Sequence, residues 1–153
     1  MIYFFIALAI ILIDIFTKYL ASKFLSDIFT YPIINNVFHL TYTENTGAAF
    51  SIFTGRQAFL IAITSVFLIL LICYIIYSHR KYKKLLLSNL AITFIIAGGA
   101  GNLISRIHFG YVVDIFDFRL IKFAIFNVAD IFITIGTILL ILCVLFFEKD
   151  LLK

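Results

Sequence analysis

Four stretches of mostly apolar residues, near positions 2–20, 59–77, 85–104 and 128–147, constrain this chain more than any other feature. About 20 such residues in a helix cross the hydrocarbon core of a bilayer. The chain is 64% hydrophobic and only 13% charged over 153 residues. A soluble domain of that size could not hide so much apolar surface. Disorder is excluded as well, because it needs low hydrophobicity and high net charge. The expectation is one integral membrane domain with four spanning helices. The first apolar run lacks a basic leader and a small-residue cleavage site, so it reads as a span rather than a cleaved signal peptide.

Lys and Arg set the orientation. With four spans, both termini and the loop between spans two and three share one side. That side carries Arg80, Lys81, Lys83, Lys84, Lys149 and Lys153. The other carries Lys23, Arg56, Arg106, Arg119 and Lys122. Six against five decides little, but four of the six crowd into one short loop. Both termini are therefore expected in the cytoplasm, and the net charge of +4 reads as a topology signal rather than a nucleic-acid patch. Cys73 and Cys143 lie inside apolar runs and are expected to be small buried hydrophobes.

The two outer loops have strand character. Residues 37–43 and 111–118 are rich in β-branched and aromatic side chains, and Asn35-Asn36 is a turn signal. A small sheet capping the outer face is expected. Pro32 is expected to mark a loop. Phe38, Tyr42 and Phe50 could clamp a ligand from above or simply anchor the cap at the interface.

This topology gathers the unusual polar groups at one depth, near the outer interface. Asp14 and Lys18 are four apart on one helix face. Each charge costs about 2.5–3.5 kcal/mol at a bilayer centre, while each Leu, Ile or Phe returns about 0.3–0.6. The first span has twelve such residues, so two central charges would cancel most of its insertion energy. Either the pair is a salt bridge with Lys18 reaching outward, or Asp14 belongs to a site. Gly98-Gly99-Ala100-Gly101-Asn102 puts small residues at the outer end of span three, for tight packing or ligand approach. Arg106 shares a face with Asn102 and could snorkel, or pin a loop or a carboxylate.

Asp114 and Asp130 carry the chemical reading. Both fall near the outer interface, on separate elements that could face each other. Two carboxylates sharing one site cannot both ionise easily, so one becomes an acid and the other a base for an attacking water. Asp117, three residues from Asp114, remains a rival partner. Spacing suits no metal site: His39, His79 and His108 are scattered, and no zinc, phosphate-loop or serine-nucleophile motif is present.

Five motifs occur in order: Asp14-x-x-x-Lys18, residues 45–51 (Asn-Thr-Gly-Ala-Ala-Phe-Ser), residues 98–106 ending in Arg106, Val112-Val113-Asp114, and Phe126-Asn127-Val128-Ala129-Asp130. Each is weak alone. Together, with four spans and this length, they closely resemble bacterial lipoprotein signal peptidase, also called signal peptidase II. The resemblance implies an intramembrane aspartic endopeptidase of the bacterial cytoplasmic membrane, with its site near the outer face. It would cut prolipoproteins on the amino side of a cysteine carrying diacylglycerol. It implies a catalytic dyad at Asp114 and Asp130, with support from Asp14, Asn45, Asn102, Arg106 and Asn127; Lys18 and Gly47 are expected to join that support. It also implies inhibition by globomycin-type cyclic peptides; separately, no metal or other cofactor, no nucleic-acid partner and a monomer are expected. One departure is Ser105, where the family usually has Asp. The alternatives are a small proton-coupled carrier or channel using Asp14, Lys18 and Asp130 as a relay, and a non-catalytic scaffold.

Overall fold

A computed structural model describes residues 1–47, 52–82, 87–121 and 123–147. Four helices long and apolar enough to cross a membrane account for most of it. They are α1 (Ile2–Leu25), α2 (Gln57–Tyr82), α3 (Leu87–Phe109) and α4 (Val128–Leu142), the last continued by a wider π turn over Cys143–Phe147. The helices outrun the expected apolar windows. α1 gains a turn beyond residue 20, and α2 extends at both ends. Lys83, Lys84, Lys122, Lys149 and Lys153 lie outside the described residues.

α3 is the hub. It packs on α1, α2 and α4, while α2 rests mainly on α3. The sequence explains this division. α3 buries Ala91, Ala97, Gly98, Gly99 and Gly101, whose small side chains let neighbouring backbones close in. α2 buries only Leu60, Leu68 and Ser78 and turns Val66, Phe67, Ile69 and Leu70 outward. Such a face is stable only in lipid, which is as apolar as those side chains. Cys143 is buried as expected, but Cys73 is exposed on that outward face, because α2 is covered on one side only.

Three antiparallel strands cap one end, in the order β1 (Thr30–Ile34), β2 (Phe38–Asn45), β3 (Val112–Phe118). The two expected strands are β2 and β3. The third, β1, was not foreseen, and Pro32 lies within it instead of in a loop. An edge strand tolerates proline because its missing N–H would face away from the ladder. Asn36, at φ 60°, turns β1 into β2. The sheet sits over the end of α1, where Ala21 and Leu25 pack with Val113 and Ile115.

Two local features aim the site. β2 carries an extra residue between Leu40, opposite Phe116, and Thr43, opposite Asp114. Such a bulge re-aims the side chains that follow it. Then the chain doubles back after a 3-10 turn at Arg119–Ile121. The Phe126 carbonyl accepts from the Ile115 and Phe116 amides at 2.9 and 2.8 Å, and the Phe126 amide donates to the Phe116 carbonyl at 3.2 Å. This clip fixes the start of α4 against β3.

Candidate active site

Asn127 is the N-cap of α4 and bonds both acidic elements at once. Its side-chain oxygen accepts from the Asp130 amide at 3.1 Å, and its own amide donates to Asp130 Oδ2 at 3.2 Å. That reciprocal pair is a capping box. Its Nδ2 donates to Asp114 Oδ1 at 2.6 Å. Asn45 Nδ2 donates to Asp114 Oδ2 at 3.0 Å, and Asn45 Oδ1 accepts from the Gly47 amide at 2.8 Å. Asp114 and Asp130 both line a cleft of about 440 Å³ whose other walls are mostly apolar, including Phe123, Phe126, Ile131 and Ile135.

A second chain of bonds supports Asp130 from behind. Lys18 Nζ donates to Asp14 Oδ2 at 2.7 Å and to Asn102 Oδ1 at 2.8 Å. Asn102 Nδ2 donates to Asp130 Oδ1 at 2.9 Å. Asp14 Oδ1 accepts from the Ala129 amide at 2.9 Å, in the first turn of α4, where orphan amides favour a carboxylate. Lys18 does not reach outward as one reading expected. It is buried, because α3 and α4 offer it two oxygen partners closer than the interface.

Gly101 explains how Asp14 fits. A Cβ there would collide with Asp14 Oδ2, and one on Gly98 would collide with the Ala129 carbonyl. The small-residue run therefore serves tight packing, of α4 at Gly98 and of the Asp14 carboxylate at Gly101. Arg106 Nη2 donates to the Gly47 carbonyl at 2.8 Å, so it pins the loop after β2. Ser105 turns back to the Gly101 carbonyl of its own helix at 3.2 Å.

Asp114 lies outside the spanning helices. Burial, and then the neighbouring Asp130, push its carboxyl up from 3.8 to about 6, against the pull of the Asn45 and Asn127 amides. Asp117 lies three residues on, hence on the opposite face of β3. It accepts from Thr41 Oγ1 at 3.0 Å and Arg119 Nε at 2.8 Å, and does not line the cleft.

All nine expected site residues lie at the sheet end. Among the described residues, no three His, Cys, Asp or Glu side chains group as metal ligands would. The expected clamp is differently built. Phe38 stacks with Phe116 and Phe118, and Tyr42 packs on the core under the sheet. Neither lines the cleft, whereas Phe123 and Phe126 do. Phe50 lies outside the described residues. The Ala129 amide was not legible as a partner of Asp14. The capping box was also missed, although its signal was present: an Asn followed three residues later by an acid, before an apolar run.

The family model described as Signal peptidase (SPase) II matches residues 6–146. The chain belongs to the signal peptidase II family. The lipoprotein signal peptidase of Caldanaerobacter subterraneus subsp. tengcongensis is 47% identical over 131 residues, covering 86% of this chain and 87% of that one. That of Clostridioides difficile is 43% identical over 149 residues, covering 97% and 98%. A solved structure of a bacterial membrane enzyme superposes with a TM-score of 0.83 at 32% identity, covering 99% of this chain and 91% of that one. The protein is thus a multi-pass membrane peptidase of an aspartic family, which removes signal peptides from lipoproteins. The carrier and scaffold readings give way to it.

Proposed function

We propose that this signal peptidase II hydrolyses the bond on the amino side of a diacylglyceryl-modified cysteine, using Asp114 and Asp130 as a dyad. The observation that carries the reading is their joint exposure to one apolar cleft, cross-bonded through Asn127. A cleft at the end of the spans meets a scissile bond at the membrane surface without drawing the lipid into water.

The ionised carboxylate takes a proton from water as the water oxygen adds to the scissile carbonyl carbon. The protonated carboxyl gives its proton to the carbonyl oxygen, forming a gem-diol. The C–N bond then breaks. The leaving nitrogen takes the proton held by the first carboxyl, and a gem-diol hydroxyl returns one to the second. Water and peptide become acid and amine, and the pair is reset. The apolar walls exclude bulk water. Asp14, Lys18, Asn45, Gly47, Asn102, Arg106 and Asn127 hold the two carboxyls in place.

The protein is proposed to act as a monomer in the bacterial cytoplasmic membrane, with both termini in the cytoplasm and the sheet on the outer face. The test uses purified protein in detergent with a diacylglyceryl prolipoprotein and its unmodified counterpart. Cleavage of the lipidated substrate, blocked by globomycin and indifferent to a chelator, is expected. Cleavage of both substrates alike would overturn the lipid requirement. For orientation, Arg80→Cys in a Cys73→Ser background should resist an impermeant thiol reagent applied to intact cells; labelling would reverse the topology.

A further inference from the structure

We infer that Lys18, acting through Asn102, fixes the division of labour in the dyad: Asp130 is the ionised base, and Asp114 carries the resting proton. This deepens the reading above and rests on it. Lys18 acts as a positioning residue, since it touches neither carboxyl of the dyad.

The bond directions are forced by chemistry. A Lys ammonium only donates. The oxygen of Asn102 must therefore face Lys18, and its NH₂ must face Asp130. Asp130 Oδ1 is thereby an obligate acceptor. Its Oδ2 faces the backbone amide of Asn127, which can also only donate. Asp114 is bracketed by two side-chain amides, whose orientation is fixed by the Gly47 and Asp130 amides on their oxygens. By count the two carboxyls are matched. The charge behind the donors differs. The Asn102 amide that serves Asp130 is polarised by the buried Lys18 ammonium, and Asp130 sits in the first turn of α4, at the positive end of the helix dipole. Asp114, on a strand, receives only neutral amides.

The charged groups around the pair are few. Asp14 and Lys18 face it from α1, Arg106 from α3, and Asp114 and Asp130 face each other from β3 and α4. Arg106 acts on both carboxyls, on Asp130 more than on Asp114, in the same sense as Lys18. Asp14 spends its two oxygens on Lys18 and on the Ala129 amide. The proton on Asp114 cannot point at Asn45 or Asn127, which both donate to it. It points into the cleft, toward a bound carbonyl. The rise of the Asp114 carboxyl to about 6 agrees with this.

The experiment is the pH profile of kcat/KM for cleavage of a diacylglyceryl prolipoprotein. It compares the unaltered protein, Lys18→Met and Asn102→Leu, with Lys18→Arg as the conservative control. The ascending limb reports ionisation of the base and the descending limb loss of the acid's proton, as macroscopic values of the pair. Lys18→Met should move the ascending limb up by about 1 pH unit and the descending limb by clearly less, because Lys18 reaches Asp130 through the Asn102 amide and Asp114 only through space. Asn102→Leu should move the same limb without stranding Asp14, and it carries the test if Lys18→Met does not fold. Lys18→Arg should stay near the original profile. A larger movement of the descending limb would put the proton on Asp130, and unmoved limbs would remove Lys18 from the mechanism; either overturns the inference. Failure of the dyad itself reads differently, as persistent cleavage in Asp114→Asn or Asp130→Asn.

Discussion

β3 presents two aspartates to two different worlds. Asp114 and Asp117 are both buried, 4% and 8% exposed, so burial does not distinguish them. Asp117 meets Arg119 and Thr41, and that network runs on to Thr30 and His39 across the sheet. Its charge is matched on the spot. Asp114 meets two neutral amides, a cleft and a second carboxyl. The same residue type, three positions apart on one strand, is ion-paired within the sheet on one face and opens onto a cleft on the other. What a carboxylate can do is set by what is left unmatched around it.

The sharpest way to break this comparison is to neutralise each aspartate in turn. Asp114→Asn and Asp130→Asn should each lower cleavage by at least about 10³-fold while the protein still inserts and accumulates. The double variant should be no worse than either single one, because residues acting as a unit are not additive. Asp117→Asn should keep cleavage within a few fold. Loss of cleavage in Asp117→Asn, with activity kept in Asp114→Asn, would exchange their roles.

A smaller effect is expected behind the dyad. Gly101→Ala puts a methyl group onto the Asp14 carboxylate. Overpacking of this kind costs about 1–3 kcal/mol. Here it should also lower turnover, since Asp14 holds the first turn of α4 that carries Asp130. Thermal unfolding in detergent, read beside cleavage per folded molecule, tests both halves. An unchanged melting point would mean that α1 and α3 can part without cost.

Stability should also vary with pH through Asp114. A carboxyl whose folded value lies above its unfolded one gives stability that is complete below the unfolded value and lost as pH rises through the folded one. For Asp114 the window runs from 3.8 to about 6. Melting temperature should fall across that range, and Asp114→Asn should flatten the fall. If Asp114→Asn melts with the unaltered pH dependence, the carboxyl is not held protonated. The smallest effect belongs to Arg119→Ala. Its guanidinium is 41% exposed, and an ion pair of that kind contributes about 0–1 kcal/mol. Cleavage should be unchanged, and a larger loss would make the Asp117 network part of the site.

The sequence by itself determined the solvent of this protein and the end of the spans at which its buried polar groups gather. Four apolar runs of spanning length admit no other environment, because the bilayer fixes the length of a helix that crosses it. The order of those runs then brings residues 14, 102 and 130 to one end whatever their rotamers. Strand character in residues 37–43 and 111–118 was legible because β-branched and aromatic patterning is local. Pairings between distant segments were not. Only the fold turned Lys18 inward, since the oxygens of Asp14 and Asn102 outbid the interface once α1 and α3 had packed. Only the alternation of β3, the bulge in β2 and the Phe126 clip decided that Asp114 faces Asp130 while Asp117 faces Arg119. Composition sees each charge and its cost. The partner that offsets that cost is chosen by segments as distant as those of Asp14 and Ala129, through contacts that exist only after the helices close.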